Sequence, residues 1–185
     1  METMKLYMLL LGCKPSGRHT EQHDVFFTVG SSLKDTLPAI LDFWPEANGK
    51  IHIDAWREVT EVDGFSVQVV SKAAQSNGSG QLFFLNLGGY KRDEFEEPHY
   101  KLLLVGQDKA EMIKRAKQSA FYQHTGFEGA PSHIDDKYGV DVDDIFEIED
   151  VLPPGIKDRF SLLISPLTAA VKDEIHLGYL PLQKL

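Results

Sequence analysis

Apolar residues along this chain come in short dense runs, and the runs come twice. Lys5 to Leu11 (KLYMLLL) is almost continuously apolar and stops at Gly12, which predicts a strand covered on both faces. After a loop containing Pro15, Ser16 and Gly17, the β-rich segment Gln22 to Val29 predicts a second strand, closed by Gly30. Leu33, Leu37, Ile40, Leu41 and Trp44 then recur at helical spacing, with Ser32 and Asp35 placed as a cap and Pro38 limiting the first turn. Lys50 to Arg57 alternates as a third strand, with Ile51 and Ile53 on one side and His52 and Asp54 on the other. Asp63-Gly64 marks a turn into a fourth strand, Phe65 to Val70. One unit therefore reads ββαββ.

At an offset of 76 residues, Leu6, Leu9, Leu11 and Gly12 return as Leu82, Leu85, Leu87 and Gly88, and Glu21, His23, Val29 and Gly30 return as Glu97, His99, Val105 and Gly106. Asp108 and Glu111 repeat the cap ahead of a second helix over 109–122. At an offset of 81, His52-Ile53-Asp54, Val59, Asp63, Phe65 and Val70 align with His133-Ile134-Asp135, Val140, Asp144, Phe146 and Val151. The second copy is thus expected to carry five extra residues, in the loop 123–132. The polar connector Ser71 to Gly80 separates the copies. The pattern predicts an α+β protein, a tandem duplication of a ββαββ unit with pseudo-twofold symmetry, with repeats over 1–72 and 81–152. Units of about 70 residues are marginal alone, so their sheets are expected to share one core. Residues 153–185 read as a C-terminal extension packing on the repeats, with strands over 159–165 and 175–182 around a short helix in 166–174.

Composition narrows the function classes. Among 185 residues, 42% apolar and 25% charged is ordinary globular usage, and 19 basic against 28 acidic residues gives −9, a field that repels nucleic acid and anionic lipid. The single cysteine, Cys13, leaves no intrachain disulfide and no cysteine-based zinc site, which fits a reducing compartment. Leu6 to Leu11 is short for a secretory signal and recurs internally at Leu82 to Leu87, and no run approaches the ~18 apolar residues of a membrane span. A cytoplasmic protein is expected.

The polar residues retained in both copies carry the candidate chemistry. Glu21 with His23, His52 with Asp54, Glu97 with His99, and His133 with Asp135 each place two polar side chains on one strand face, about 6.8 Å apart. His19 joins Glu21 and His23 at the same period, and a His/Glu/His face has the donor set of a zinc or non-haem iron site. Phe95 stands where His19 would recur. The candidate ligand-binding residues are therefore Glu21, His23, His52, Asp54, Glu97, His99, His133 and Asp135, with Trp56 and Arg57 as an adjoining wall; the candidate metal ligands are His19, Glu21, His23, His52 and Asp54. The competing reading, favoured here, makes these pairs structural, bonded to each other or to backbone groups. Asp141, Asp143 and Asp144 lack the glycine and closing glutamate of a calcium loop and read as a solvated strand face. Cys13 near His19 and His23 reads as an inert thiol, since Gly89 replaces it in the second copy.

The segments LLG, TEQHDVFFTVG and HIDAW-x5-VDGF resemble a bacterial family known only as domain-of-unknown-function family 1543, most specifically through EQHDVFF and HIDAW. The likeness spans most of residues 5–151 as two copies, the second diverged to EPHYKLL and HIDDKY. It implies no activity, ligand or catalytic residue. The residues themselves favour a soluble accessory module that binds a small molecule or a protein, in a form compatible with a homodimer. The alternative is a metal-dependent, hydrolase-like enzyme in which a divalent ion held by His23, Glu21, His52 or Asp54 activates water and a carboxylate acts as base.

Overall fold

The computed structural model describes residues 3–74, 78–88, 93, 95–118, 141–169 and 171–185. In chain order the described elements are β1 (Lys5–Cys13), β2 (Gln22–Gly30), α1 (Leu37–Phe43), β3 (His52–Glu58), β4 (Glu61–Val62), β5 (Phe65–Ser71), β6 (Gln81–Gly88), β7 (His99–Gly106), α2 (Lys109–Lys117), β8 (Asp141–Glu147), α3 (Ile148–Val151), α4 (Pro154–Lys157), β9 (Phe160–Pro166) and β10 (His176–Pro181). The fold is α+β, with three antiparallel sheets. It divides into two compact units, one of Met1–Ser79 with Val151–Leu185 and one of Gly80–Asp150. Among the described residues, no helix is long and apolar enough to cross a membrane.

In the first unit β1 lies at the centre of a sheet ordered β10-β3-β1-β2. Tyr7, Leu9 and Leu11 turn to one face and meet Phe26, Ile53 and, from α1, Ile40 in a fully buried core. Leu6, Phe27 and Val29, at the alternate positions, are buried as well, which is why β1 reads as continuously rather than alternately apolar. A second sheet, β4-β5-β9, starts from the expected turn: Asp63 and Gly64 both adopt positive φ, 58° and 79°, as a tight hairpin between β4 and β5 requires. The helix starts later than its sequence cap. Asp35 accepts from the Ser32 N–H and hydroxyl, and a 3-10 turn over Lys34–Thr36 precedes α1, whose first turn holds Pro38.

In the second unit β6 is flanked as β7-β6-β8, and Phe83, Leu85 and Leu87 pack with Met112 and Ala116 of α2. Asp108 accepts from the Glu111 N–H at 2.9 Å, the expected cap. The fourth strand expected over Phe146 to Val151 is absent. Phe146 belongs to β8, and Ile148–Val151 is helical.

The C-terminal segment groups with the first unit, adding β9 beside β5 and β10 beside β3, and departs from expectation between those strands. No helix forms among the described residues of 167–174: the Asp173 carboxylate accepts from the Thr60 N–H at 3.0 Å and the Thr60 hydroxyl at 2.6 Å, an anchor outside the segment that competes with helical turns. Loop 123–132 and the end of the second expected helix fall outside the described residues.

Leu9 and Leu85 are both fully buried in the middle of their central strands. Leu9→Ala and Leu85→Ala are each expected to cost about 2–5 kcal/mol in denaturant unfolding, the usual loss of transfer energy plus cavity. A loss below about 1 kcal/mol at both positions would place the cores elsewhere.

Candidate functional site: two glycine-centred clusters

The next-to-last residue of β1 is a glycine with a histidine on either side. Gly12 pairs with His23 on β2 and with His52 on β3, and residues directly opposite one another across a sheet project from the same face. Gly12 contributes no side chain between them, so the two imidazoles lean inward over its Cα. A Cβ there would stand 2.5 Å from Asp54 Oδ2 and 2.9 Å from His52 Cε1, overlapping both.

Asp54 reaches the same point through a β-bulge. Leu10 pairs with Ala55 but Leu11 with Ile53, which leaves Asp54 as the extra residue of β3. The bulge also resets the strand's alternation: Ile53 and Trp56, three apart, both pack on the core. His52 and Asp54 are thereby left on the opposite face, above Gly12.

Four residues converge there. His52 Nε2 is 3.2 Å from Glu21 Oε1 and 3.2 Å from Asp54 Oδ2, while His23 Nε2 is 3.3 Å from Asp54 Oδ2 and 3.8 Å from Glu21 Oε2. One donor atom each from Glu21, His23 and His52 lies within 4.8 Å of the others. Despite the short contacts, Asp54 Oδ2 is shielded from water and has no hydrogen-bond partner among the described residues, so neither imidazole N–H is aimed at it. His52 is nearly buried, its ring 4.4 Å from that of Tyr179 on β10, whereas Glu21 and His23 face solvent.

The second unit repeats the geometry with different residues. Gly88 pairs with His99 and with Asp141, and the bulge between Asn86 and Leu87 leaves Asp143 as the extra residue of β8. Val142 and Ile145, three apart, pack on the core as Ile53 and Trp56 do in the first unit. His99 Nε2 stands 3.2 Å from Asp143 Oδ2, and donor atoms of Glu97, His99 and Asp143 fall within 4.8 Å of one another. A Cβ on Gly88 would overlap the Asp143 carboxylate. In register, then, His52-Ile53-Asp54 corresponds to Asp141-Val142-Asp143, eight residues beyond the segment that sequence alignment selected.

The other candidates are placed apart. His133 and Asp135 lie outside the described residues. His19 is exposed in a bend and supplies no donor to the cluster. Trp56, turned to the core side by the bulge, stacks on His176 at 3.9 Å. Arg57 pairs with Met8, four residues along β1 from Gly12; burial pulls its pKa down, opposed by Asp173 and Glu61. Cys13 is a buried free thiol whose pKa is raised by burial first and then by Glu21 and Glu46, the reverse of what a thiolate nucleophile needs. Asp143, Gly12 and Gly88 are the site residues that the side-chain pattern missed, and the return of Gly12 as Gly88 was the signal for them.

Donors at this spacing suit one cation. Ligands about 2.0–2.1 Å from a shared ion stand roughly 3–3.4 Å from one another, and two imidazoles with carboxylates form a set used for zinc and iron(II). Comparison with known proteins agrees on the fold and is silent on chemistry. The sequence model of a Domain of Unknown Function (DUF1543) matches residues 18–69, which contain all four residues of the first cluster. No curated protein matches. A solved structure described as a protein Il1583 from Idiomarina loihiensis is 22% identical, covers 97% of this chain and 97% of its own, and superposes with a TM-score of 0.58, so the two share a fold along their whole length.

Proposed function

We propose that this protein is an accessory module that binds a divalent transition metal through His23, His52 and Asp54, with Glu21 as a fourth donor from the solvent side. The observation that carries this reading is Asp54 Oδ2, a shielded carboxylate oxygen with two imidazole nitrogens within 3.3 Å and no hydrogen bond from either. Structural His–Asp bonding would aim an N–H at that oxygen; a shared cation instead needs lone pairs pointing inward from every ligand. The donor set suits zinc, iron(II), manganese or nickel. With water in place of Glu21 as its fourth ligand, the ion would lower the water's pKa, and the released Glu21 carboxylate, on the solvent side, would be the base in a hydrolytic reaction. The matching glycine, bulge and register of β6, β7 and β8 support a further part of the reading: the chain is a tandem duplication of one three-stranded unit, diverged in its third strand.

If the ion binds only the folded state, metal at about a thousand times its dissociation constant adds roughly 4 kcal/mol of stability, a melting shift on the order of 8–16 °C for a chain of this size. Chelator-stripped protein is expected to melt lower, to recover with zinc, and to lose most of that recovery in His23→Ala. Wild type unmoved by chelator and zinc, with His23→Ala destabilised by about 1–3 kcal/mol, would return these residues to a structural role.

Gly12→Ala tests the cradle without removing a ligand. The added methyl overlaps His52 and Asp54, so the zinc-dependent shift is expected to disappear. Gly155→Ala, at a glycine with no atom within 4 Å of an added Cβ and no positive φ, is expected to keep it. Equal shifts in the two variants would separate the glycine from metal binding.

A further inference from the structure

We infer that the Gly80–Asp150 unit holds a second metal site, made by Glu97, His99 and Asp143, whose preference for zinc over manganese is weaker than that of the first. The inference rests on reading the glycine-centred arrangement as a metal cradle. His99 stands opposite Gly88 as His23 stands opposite Gly12, Glu97 and Glu21 lie two residues before these histidines, and Asp143 is the bulge residue as Asp54 is. The three donor atoms lie within 4.8 Å of one another, with His99 Nε2 and Asp143 Oδ2 3.2 Å apart. Gly88 leaves free the space that the Asp143 carboxylate enters.

What changes between the units is the donor chemistry. At the register position of His52 the second unit has Asp141 in place of an imidazole; among the described side chains its cluster offers one imidazole nitrogen and two carboxylates, where the first brings His23 and His52 together with Glu21 and Asp54. Carboxylate-rich sets suit manganese and magnesium, while each imidazole adds selectivity for zinc, nickel and iron. His99 and Asp143 are partly exposed, as His23 and Asp54 are, and the nearly buried imidazole of His52 is the donor that the first cluster has in addition. A site with fewer nitrogen donors holds zinc less tightly and exchanges it more readily. The chain then carries two ions of unequal affinity, one held firmly and one labile.

The test is the metal stoichiometry of the chelator-stripped full chain, titrated with zinc chloride against a chromophoric competitor and with manganese chloride by the EPR signal of free Mn2+. Two zinc equivalents are expected, the second on the order of tenfold weaker or more, since even an outer partner of a ligand typically costs that much. His99→Ala, and Asp143→Asn, which keeps the side-chain shape, are each expected to abolish the weaker equivalent and most manganese binding while leaving the tight zinc site. His52→Ala is expected to do the reverse. One equivalent that neither second-unit variant alters overturns this inference and leaves the proposed function standing. One equivalent lost in His99→Ala and retained in His52→Ala supports a site at Glu97, His99 and Asp143 but overturns the first-unit reading and, with it, the ranking of the two sites. No binding of either ion overturns both.

Discussion

Two imidazoles can meet above a β-sheet only where the strand between them has no side chain. Neighbouring strands lie about 4.8 Å apart, so residues two strands away are separated by a full strand's width at the Cα level and must lean inward to touch. Gly12 makes this possible in the first unit and Gly88 holds the same place in the second. The remaining features of each cluster serve that close approach. The bulge turns a carboxylate onto the same face, while the apolar residues on either side of it, Ile53 and Trp56 or Val142 and Ile145, anchor the third strand to the core and hold the bulge in place.

Such an arrangement works against stability in the absence of a cation. A carboxylate oxygen removed from water without a donor costs roughly 1–3 kcal/mol, and more when ionised. A fold under no other demand would relieve this by aiming an imidazole N–H at Asp54 Oδ2 or by letting solvent reach it, and this one does neither. A divalent ion bound as proposed would offset the cost by giving that oxygen a partner.

The C-terminal segment shields one side of the first cluster. β10 lies beside β3 and brings the ring of Tyr179 against His52, so that one imidazole is shielded while His23 and Glu21 remain open. The same segment supplies β9 to the second sheet of that unit, and Asp173 ties it to Thr60. Val151–Leu185 groups with the first unit.

The amino-acid sequence by itself determined the local elements. The apolar runs at Lys5 and Gln81, the Asp63-Gly64 turn and the Asp108 cap are local signals, and each produces its strand, turn or helix end within a residue or two. It also brought Glu21, His23, His52 and Asp54 forward as one candidate set. Tertiary structure alone decided which residues meet in the second unit. A bulge breaks the period-two pattern, so His133-Ile134-Asp135 matched the first copy in letters while Asp141-Val142-Asp143 matched it in register. That register comes from pairing with β6, more than fifty residues earlier, and from burying Val142 and Ile145 together; such a choice is made by the packed sheet, and no window of neighbouring residues records it.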